Sequence, residues 1–333
     1  MAADARRPID NGMESGMAAQ TTPAAPAVKT MTPASMSAPV LTMLIWAGNT
    51  VVTKAASGVI EPASIAFYRW LIAFLVLLAI FGPAAWRQRT VMRRHWYKLA
   101  ILGLLGMVIY QSLAYEAAKT TSAVNMGVLV ALMPLVSTLL ASAFAGERLT
   151  WPRIVGGLTS LAGLVYLTSH GTPSMLLSGG FHIGDGLMIV AIIANSLYGV
   201  LLKRWSLPLT MWLQLFWQVG FATLALLPIW LLSDISPITW ASLPLVLYAA
   251  LPTSLLAPFL WMTAIRDLGA GRSAMFINLL PVMIAALAWA TLGEQLYAYH
   301  VVGGGLALIG VAIALRPARG IKAPADDVEI EQL

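Results

Sequence analysis

Residues Pro134 to Tyr166 read PLVSTLLASAFAGERLTWPRIVGGLTSLAGLVY, and the same pattern returns 147 positions later, at 281–313, as PVMIAALAWATLGEQLYAYHVVGGGLALIGVAI. The shared identities keep this offset without a gap, at Pro134 and Pro281, Leu140 and Leu287, Gly146-Glu147 and Gly293-Glu294, Leu149 and Leu296, Gly156-Gly157 and Gly303-Gly304, Leu161 and Leu308, and Gly163 and Gly310. One repeat at this long period indicates two copies of a folding unit, not a solenoid. Each copy predicts a hydrophobic helix broken by a central proline, a Gly-Glu turn and a second hydrophobic helix.

The composition indicates an integral membrane protein. Only 10% of the residues are charged and 59% are hydrophobic, with a mean hydropathy of +0.79, whereas a soluble domain is about 25% charged. The net charge of +6 comes largely from Lys and Arg in short loops between apolar stretches, a distribution that indicates membrane topology and not nucleic-acid binding. The chain has no cysteine, which excludes a disulfide framework and a thiolate metal site.

Ten apolar stretches are long enough to cross a hydrocarbon core of about 30 Å at 1.5 Å per residue. We therefore predict an all-α polytopic membrane protein with spans at 38–58, 62–83, 98–117, 121–145, 151–169, 184–202, 209–233, 239–263, 273–293 and 298–316. The spans form two five-helix repeats, at 38–169 and 184–316, joined by an external linker at 170–183. Residues 1–37, rich in Ala, Pro, Thr and Ser, predict a disordered cytoplasmic tail, and 317–333 predict a second, solvated tail.

The positive charges predict the orientation of the chain. With the N-terminus in the cytoplasm, the outer connections hold only Lys54 and Lys119, and the inner loops hold Arg87, Arg89, Arg93, Arg94, Lys98, Arg148, Arg153, Lys203, Arg204, Arg266 and Arg272. Both termini are therefore predicted to be cytoplasmic. Because five spans is an odd number, the second half must enter the membrane in the opposite sense to the first. The repeats are then inverted, with Glu147 at the cytoplasmic face and Glu294 at the outer face.

Polar and aromatic side chains within the spans are the candidates for binding a solute, because each is costly in lipid unless it faces a cavity or a partner. The substrate-binding candidates are Asn49, Lys54, Arg69, Tyr110, Gln111, Tyr115, Asn195, Tyr198, Trp261 and Asn278. Arg69 has two interpretations, because it can snorkel to the outer interface or offer its forked guanidinium to a substrate carboxylate. Pro134 and Pro281 predict either simple packing kinks or bends that gate the path.

Small residues follow one face of the last helix in each copy. Each triplet, at i, i+4 and i+7, forms a groove in which a neighbouring backbone can approach closely, and the triplets are Gly156, Ser160 and Gly163, and Gly303, Ala307 and Gly310. The groove predicts either packing within the protomer or a homodimer contact. It does not indicate a phosphate-binding loop, because the amide groups are already used by the helix.

No enzyme motif and no cofactor or metal site is predicted. The sequence has no His-Glu-x-x-His, no Gly-x-Ser-x-Gly and no phosphate-binding loop. No Asp or Glu falls in the central part of a predicted span, so a proton relay has no evident carrier, although Glu116 borders the third span.

Several short motifs accompany the ten spans in two halves and the mid-span proline: Trp46-Ala47-Gly48-Asn49, Lys54, Arg69-Trp70, Gly146-Glu147-Arg148-Leu149-Thr150 and Gly293-Glu294-Gln295-Leu296. In these features, over about 38–316, the chain resembles the drug/metabolite transporter superfamily, and within it the EamA-type exporters. The resemblance implies export of small metabolites, often amino acids, through a central cavity in a bacterial inner membrane. The aromatic amino acid exporters are the first candidate within it, on general likeness.

The predicted function is therefore an exporter that works by alternating access, with a small-molecule substrate held by amide and aromatic groups and with membrane lipid around it. Lys54 or Arg69 would meet a carboxylate if the substrate has one. A sugar-phosphate or nucleotide-sugar exchanger of the same superfamily remains an alternative, and it would call for more than two cations within the membrane. A membrane-embedded enzyme is disfavoured because no catalytic constellation is present, and a passive channel is a further alternative.

Overall fold

A computed structural model describes residues 33–130, 132–145, 151–172, 182–268 and 276–314. Four of our predictions lie wholly or largely outside these ranges: the two tails, the linker at 170–183, and the Gly146-Glu147 turn. Every regular element in the described ranges is a helix. The α-helices are α1 (Pro33–Ala56), α2 (Pro62–Arg87), α3 (Arg89–Gly103), α4 (Tyr110–Ala117), α5 (Ala123–Val130), α6 (Met133–Ala145), α7 (Trp151–Thr168), α8 (Ile183–Trp205), α9 (Met211–Leu231), α10 (Leu243–Tyr248), α11 (Ala257–Leu268), α12 (Leu280–Leu292) and α13 (Ala298–Ala314).

Six helices in the described part of the chain are long and apolar enough to cross a membrane. They are Met36–Ala56, Pro62–Arg87, Arg89–Ala117, Ile183–Trp205, Met211–Leu231 and Leu243–Ala264. Shorter apolar helices lie where we predict the other four spans: α5 and α6 in the fourth, α7 in the fifth, α12 in the ninth and α13 in the tenth. The all-helical membrane class is confirmed, and the count of ten crossings stays a prediction.

Two helix starts differ from the sequence-based boundaries. Helix α1 begins at Pro33, five residues before the predicted start at 38, with proline in the first turn, where its missing N–H is not needed. Helix α3 begins at Arg89, whereas the third span was predicted to begin at 98. Hydropathy marks only the apolar part of a helix, and Arg, Lys and Met favour helix beyond the apolar core.

The two repeated prolines each lie in the first turn of a new helix. Helix α5 ends at Val130 and α6 begins at Met133, one residue before Pro134. In the second copy a 3₁₀ turn at Phe276–Leu279 precedes α12, which begins one residue before Pro281. A proline there removes no helical hydrogen bond, because the first N–H groups of a helix have no partner within it. Shifting α6 by 147 positions gives 280–292, the bounds of α12.

A π-helical segment recurs in the third span of each half. The first is Leu104–Ile109, between α3 and α4, and the second is Ala249–Leu256, between α10 and α11. The repeat offset of 147 carries the first segment onto 251–256, within the second. Such wide turns are rare and are often found at functional sites. Sequence identity shows the repeat only at 134–166 and 281–313. The two π-helical segments show that the structural repeat also includes the third span of each half.

Helices α7 and α13 pack on each other through their small residues. A Cβ added to Gly163 would lie 2.6 Å from both the Ala307 nitrogen and the Gly303 oxygen, and the added Cβ of Gly310 would meet Gly156 and Ser160. The Ser160 hydroxyl donates to the Ala307 carbonyl at 2.9 Å, and these two residues are 147 positions apart. Residue numbers rise along one helix as they fall along the other, so the helices are antiparallel. The glycine grooves therefore form an intrachain contact between equivalent helices, as expected for copies of opposite sense.

This contact predicts that Gly163→Ala destabilises the protein while Gly157→Ala, on the same helix, does not. The Cβ at Gly163 overlaps backbone atoms that cannot move aside, and overpacking typically costs about 1–3 kcal/mol. At Gly157 the nearest neighbour would be Leu135 Cδ1 at 3.7 Å, an ordinary contact. Thermal unfolding of the purified variants in detergent measures the difference. Equal melting temperatures for the two variants would contradict close backbone packing at Gly163.

Candidate functional site

Arg69 lies in the interior of the helix bundle. It is on α2 and only 4% exposed, although arginine is among the residues that are most costly within a membrane. Its neighbour Trp70 is 6% exposed and packs in the same apolar cluster as Phe67 and Ala73. The guanidinium therefore does not snorkel to the interface, which was one of the two interpretations of the sequence.

The guanidinium of Arg69 donates hydrogen bonds to neutral acceptors on three other spans. Its Nε donates to the Ser254 hydroxyl at 2.9 Å, in the second π-helical segment. Its Nη1 donates to Asn49 Oδ1 at 3.3 Å and to the Tyr115 hydroxyl oxygen at 3.4 Å. The last two distances are at the long end for hydrogen bonds, so these contacts are weak. Spans one, two, three and eight thus meet at one buried cation.

Each π-helical segment supplies a hydrogen-bond acceptor for a side chain of span two. The Ser254 hydroxyl donates to the Ala249 carbonyl five residues back at 2.9 Å, and its oxygen accepts from Arg69. In the first segment the Met107 carbonyl accepts from Trp70 Nε1 at 3.2 Å. Met107 and Ser254 are equivalent under the 147-residue repeat. Adjacent residues of α2 therefore bind equivalent positions in the two halves.

Arg69 has no carboxylate partner in the described part of the chain. Among the described residues, ion pairs join Lys119 to Glu61 and to Glu116, at 3.5 and 3.1 Å. A buried charge without a counter-charge is costly, because neutral hydrogen bonds replace only part of its lost hydration. A carboxylate is the counter-charge that a planar guanidinium fits best.

Lys54 has a different environment from Arg69. Its Nζ donates to the Ala118 carbonyl at 2.8 Å, just beyond the C-terminus of α4, where a positive charge is favourable. The Glu294 carboxylate also lies close enough to Lys54 for Coulombic attraction. Lys54 thus joins spans at one end of the bundle and has a carboxylate within Coulombic reach.

Of the substrate-binding candidates, Asn49, Arg69 and Tyr115 are in contact with one another through the guanidinium. The other candidates do not make this contact in the described structure. Gln111 is buried nearby on α4, and Tyr110 lies within Coulombic reach of Arg69. The other three described candidates lie elsewhere: Asn195 Nδ2 contacts Met133 Sδ at 3.4 Å, the Tyr198 ring packs on Gly106, and the Trp261 and Trp46 ring centroids are 5.6 Å apart. The side chain of Asn278 lies outside what the structure describes.

Sequence reasoning missed two contributors from span eight. Ser254 is the acceptor for Arg69 Nε, but its equivalent in the first half is the apolar Met107, so the repeat gave no signal. The Tyr248 hydroxyl donates to the Ile45 carbonyl at 3.2 Å and packs against Gly48, where any Cβ would overlap it. The glycine in the Trp46-Ala47-Gly48-Asn49 motif could have indicated this close approach.

A second polar feature is a pocket of about 260 Å³ at the end of the bundle that carries Glu294. It is lined by Thr120, Thr121, Ser122, Asn125, His170, His182, Glu294, Gln295, Tyr297, Tyr299 and His300. Within the described ranges no three His, Asp or Glu side chains are grouped so that they could hold a metal ion.

Comparison with known proteins yields one family. The sequence model of the EamA-like transporter family matches twice, at 35–169 and 182–316, again 147 residues apart. The uncharacterized transporter YyaM of Bacillus subtilis is 24% identical over 81% of this chain and 90% of its own length. A probable terminal-alkyne amino-acid exporter of Streptantibioticus cattleyicolor is 25% identical over 84% of this chain and 93% of its own.

A crystal structure of a protein 20% identical to this chain gives a TM-score of 0.55, over 85% of this chain and 96% of the other. At that identity the likeness shows the fold alone. The family match, in contrast, covers most of the sequence, and its two matched segments are separated by the same 147 residues as the internal repeat. The chain belongs to the EamA-like transporter family.

Proposed function

We propose that this protein is a secondary exporter of small carboxylate-bearing metabolites, with amphipathic and especially aromatic amino acids as the substrate class. It resides in a bacterial inner membrane with both termini in the cytoplasm, and ten spans in two inverted halves alternate in opening a central cavity to either side. Support comes from the family, from the antiparallel α7 and α13, and from the relative that is named as a probable amino-acid exporter.

The observation that carries the substrate class is the buried guanidinium of Arg69, for which the described residues supply no carboxylate partner. A substrate carboxylate would replace the two weak contacts, to Asn49 and Tyr115, and keep the short one to Ser254. The exchange supplies the missing negative charge and adds charge-assisted hydrogen bonds. Most of the binding energy would therefore come from the α-carboxylate, which all amino acids share.

Aromatic rings around this region support an amphipathic solute. Tyr115 contacts Arg69 directly and Tyr110 is near it, so an apolar side chain would meet aromatic surface. Movement would occur where the helices are already interrupted, at the starts of α6 and α12 beside Pro134 and Pro281. These breaks let one half of a span tilt without loss of regular helical hydrogen bonds.

Transport of labelled amino acids into proteoliposomes tests the proposal. We expect saturable uptake of aromatic or large apolar amino acids, measured with and without a proton gradient. An exchanger of the sugar-phosphate type would instead need counter-substrate inside the vesicle, and a channel would not saturate. Uptake of none of the amino acids would contradict the amino-acid assignment.

Arg69→Gln tests the role of the guanidinium. We expect the KM for an amino acid to rise at least roughly 30-fold, because removing one partner of a buried charged contact costs about 2–5 kcal/mol. Glutamine can still donate to Asn49 or Ser254, and thermal unfolding checks that the variant is folded.

The amide of the same amino acid provides the control substrate, because it lacks the negative charge. The wild-type protein should prefer the acid to the amide, and the variant should lose this preference. An equal loss of transport for acid and amide would assign Arg69 a purely structural role.

A further inference from the structure

Gly293 and Glu294 end α12 with a turn that directs a carboxylate across the bundle. Gly293 has a φ of +67°, a left-handed conformation that favours glycine, and Glu294 N donates to the Ala288 carbonyl at 3.3 Å. This is a common way to end a helix. It places the Glu294 side chain beside the start of α5, which belongs to the other half of the repeat.

The Glu294 carboxylate binds the N-terminus of α5 with both oxygens. Oε1 accepts from the Ala123 N–H at 2.8 Å and Oε2 accepts from the Val124 N–H at 3.1 Å. The Ser122 hydroxyl accepts from the Asn125 N–H at 3.0 Å and completes the cap. A carboxylate at a helix N-terminus is favoured by these free N–H groups and by the helix dipole.

Lys54 joins the same junction from α1. Its bond to the Ala118 carbonyl holds the chain between α4 and α5, and its charge is close to Glu294. Beneath these polar contacts the bundle is closely packed: Val51, Ala123, Val124 and Ala288 form a buried cluster. A Cβ on Gly127 would lie 2.8 Å from Ile284 Cγ2. Spans one, four and nine are therefore closely packed against one another at this end.

We propose that Glu294 is the latch that closes this end of the transport path. The inference rests on the proposed function in that the path is the one used by an alternating-access carrier. The contact joins α5 of the first half to α12 of the second, and these are the parts that must separate when this end opens. Glu294 is only partly buried, so water can replace its hydrogen bonds on release. The latch therefore holds the end closed without locking it.

Labelling of a single cysteine tests the latch, since the natural chain has none. Val51→Cys places a thiol beneath the junction, where the wild-type side chain is 8% exposed. In lipid nanodiscs a maleimide reaches both faces, so the readout needs neither a known orientation nor a known substrate. We expect Glu294→Gln to raise the labelling rate at least roughly tenfold, because glutamine keeps the length and loses the charge.

Glu116→Gln is the matched control. Glu116 borders the same connection and pairs with Lys119, but no bond to a helix N-terminus is found for it among the described contacts. The control should label at the wild-type rate. Equal acceleration by both variants, or none by Glu294→Gln, would overturn the latch.

Ala123→Pro removes the same contact from the other side. Ala123 is the first residue of α5, a position where proline is tolerated, and the change deletes the N–H that Oε1 accepts. We expect a smaller acceleration, roughly threefold, since one of two bonds is lost. If Glu294→Gln cannot be purified folded, an unchanged rate in Ala123→Pro overturns the proposal. Failure of amino-acid transport would leave both labelling results unaffected.

Discussion

The direct contact between the backbones of α7 and α13 is the constraint on which the rest of the fold depends. Lipid is as apolar as the side chains it would replace, so helices in a membrane associate through close packing and polar contacts. Gly163 against Gly303 and Ala307, and Ser160 bonded to Ala307, provide both. Ser160 and Ala307 are equivalent under the 147-residue offset, so the contact relates one half of the molecule to the other. The bounds of α6 and α12 and the π-helical segments follow the same offset.

Burial of the Arg69 charge costs folding free energy, and the fold nevertheless keeps this side chain in its interior. Four spans are joined at its guanidinium by neutral groups, two of them at long distances. In the described part of the chain the guanidinium has only neutral hydrogen-bond acceptors, and the proposed substrate carboxylate would supply its counter-charge. A site that is completed by its substrate would couple binding to the arrangement of spans one, two, three and eight, which a carrier needs and a purely structural ion pair does not provide. Glu294 illustrates the contrasting case, a carboxylate that accepts two hydrogen bonds from a helix N-terminus and has Lys54 within Coulombic reach.

The sequence predicted the repeat, the helical class and the glycine contact because each depends on residue type at fixed spacing. Glycine at i and i+7 allows close approach whatever lies opposite, and proline cannot continue a helix. The π-helical segments were not predictable, since each arises from a widened turn and the two share no residue signature. The second segment contains a proline, Pro252, and the first contains no proline. Ser254 and the N–H groups of Ala123 and Val124 were missed because tertiary structure alone brings them to Arg69 and Glu294.

The claim that underlies the whole account is that the two halves cross the membrane in opposite senses. Trp151 and Ala298 begin α7 and α13, are equivalent under the 147-residue offset and are both exposed. Single cysteines at these two positions can be labelled with a membrane-impermeant maleimide in intact cells and again after permeabilisation. The account predicts that the cysteine at 298 reacts in intact cells and the one at 151 only after permeabilisation. Labelling of both from the same side would contradict it.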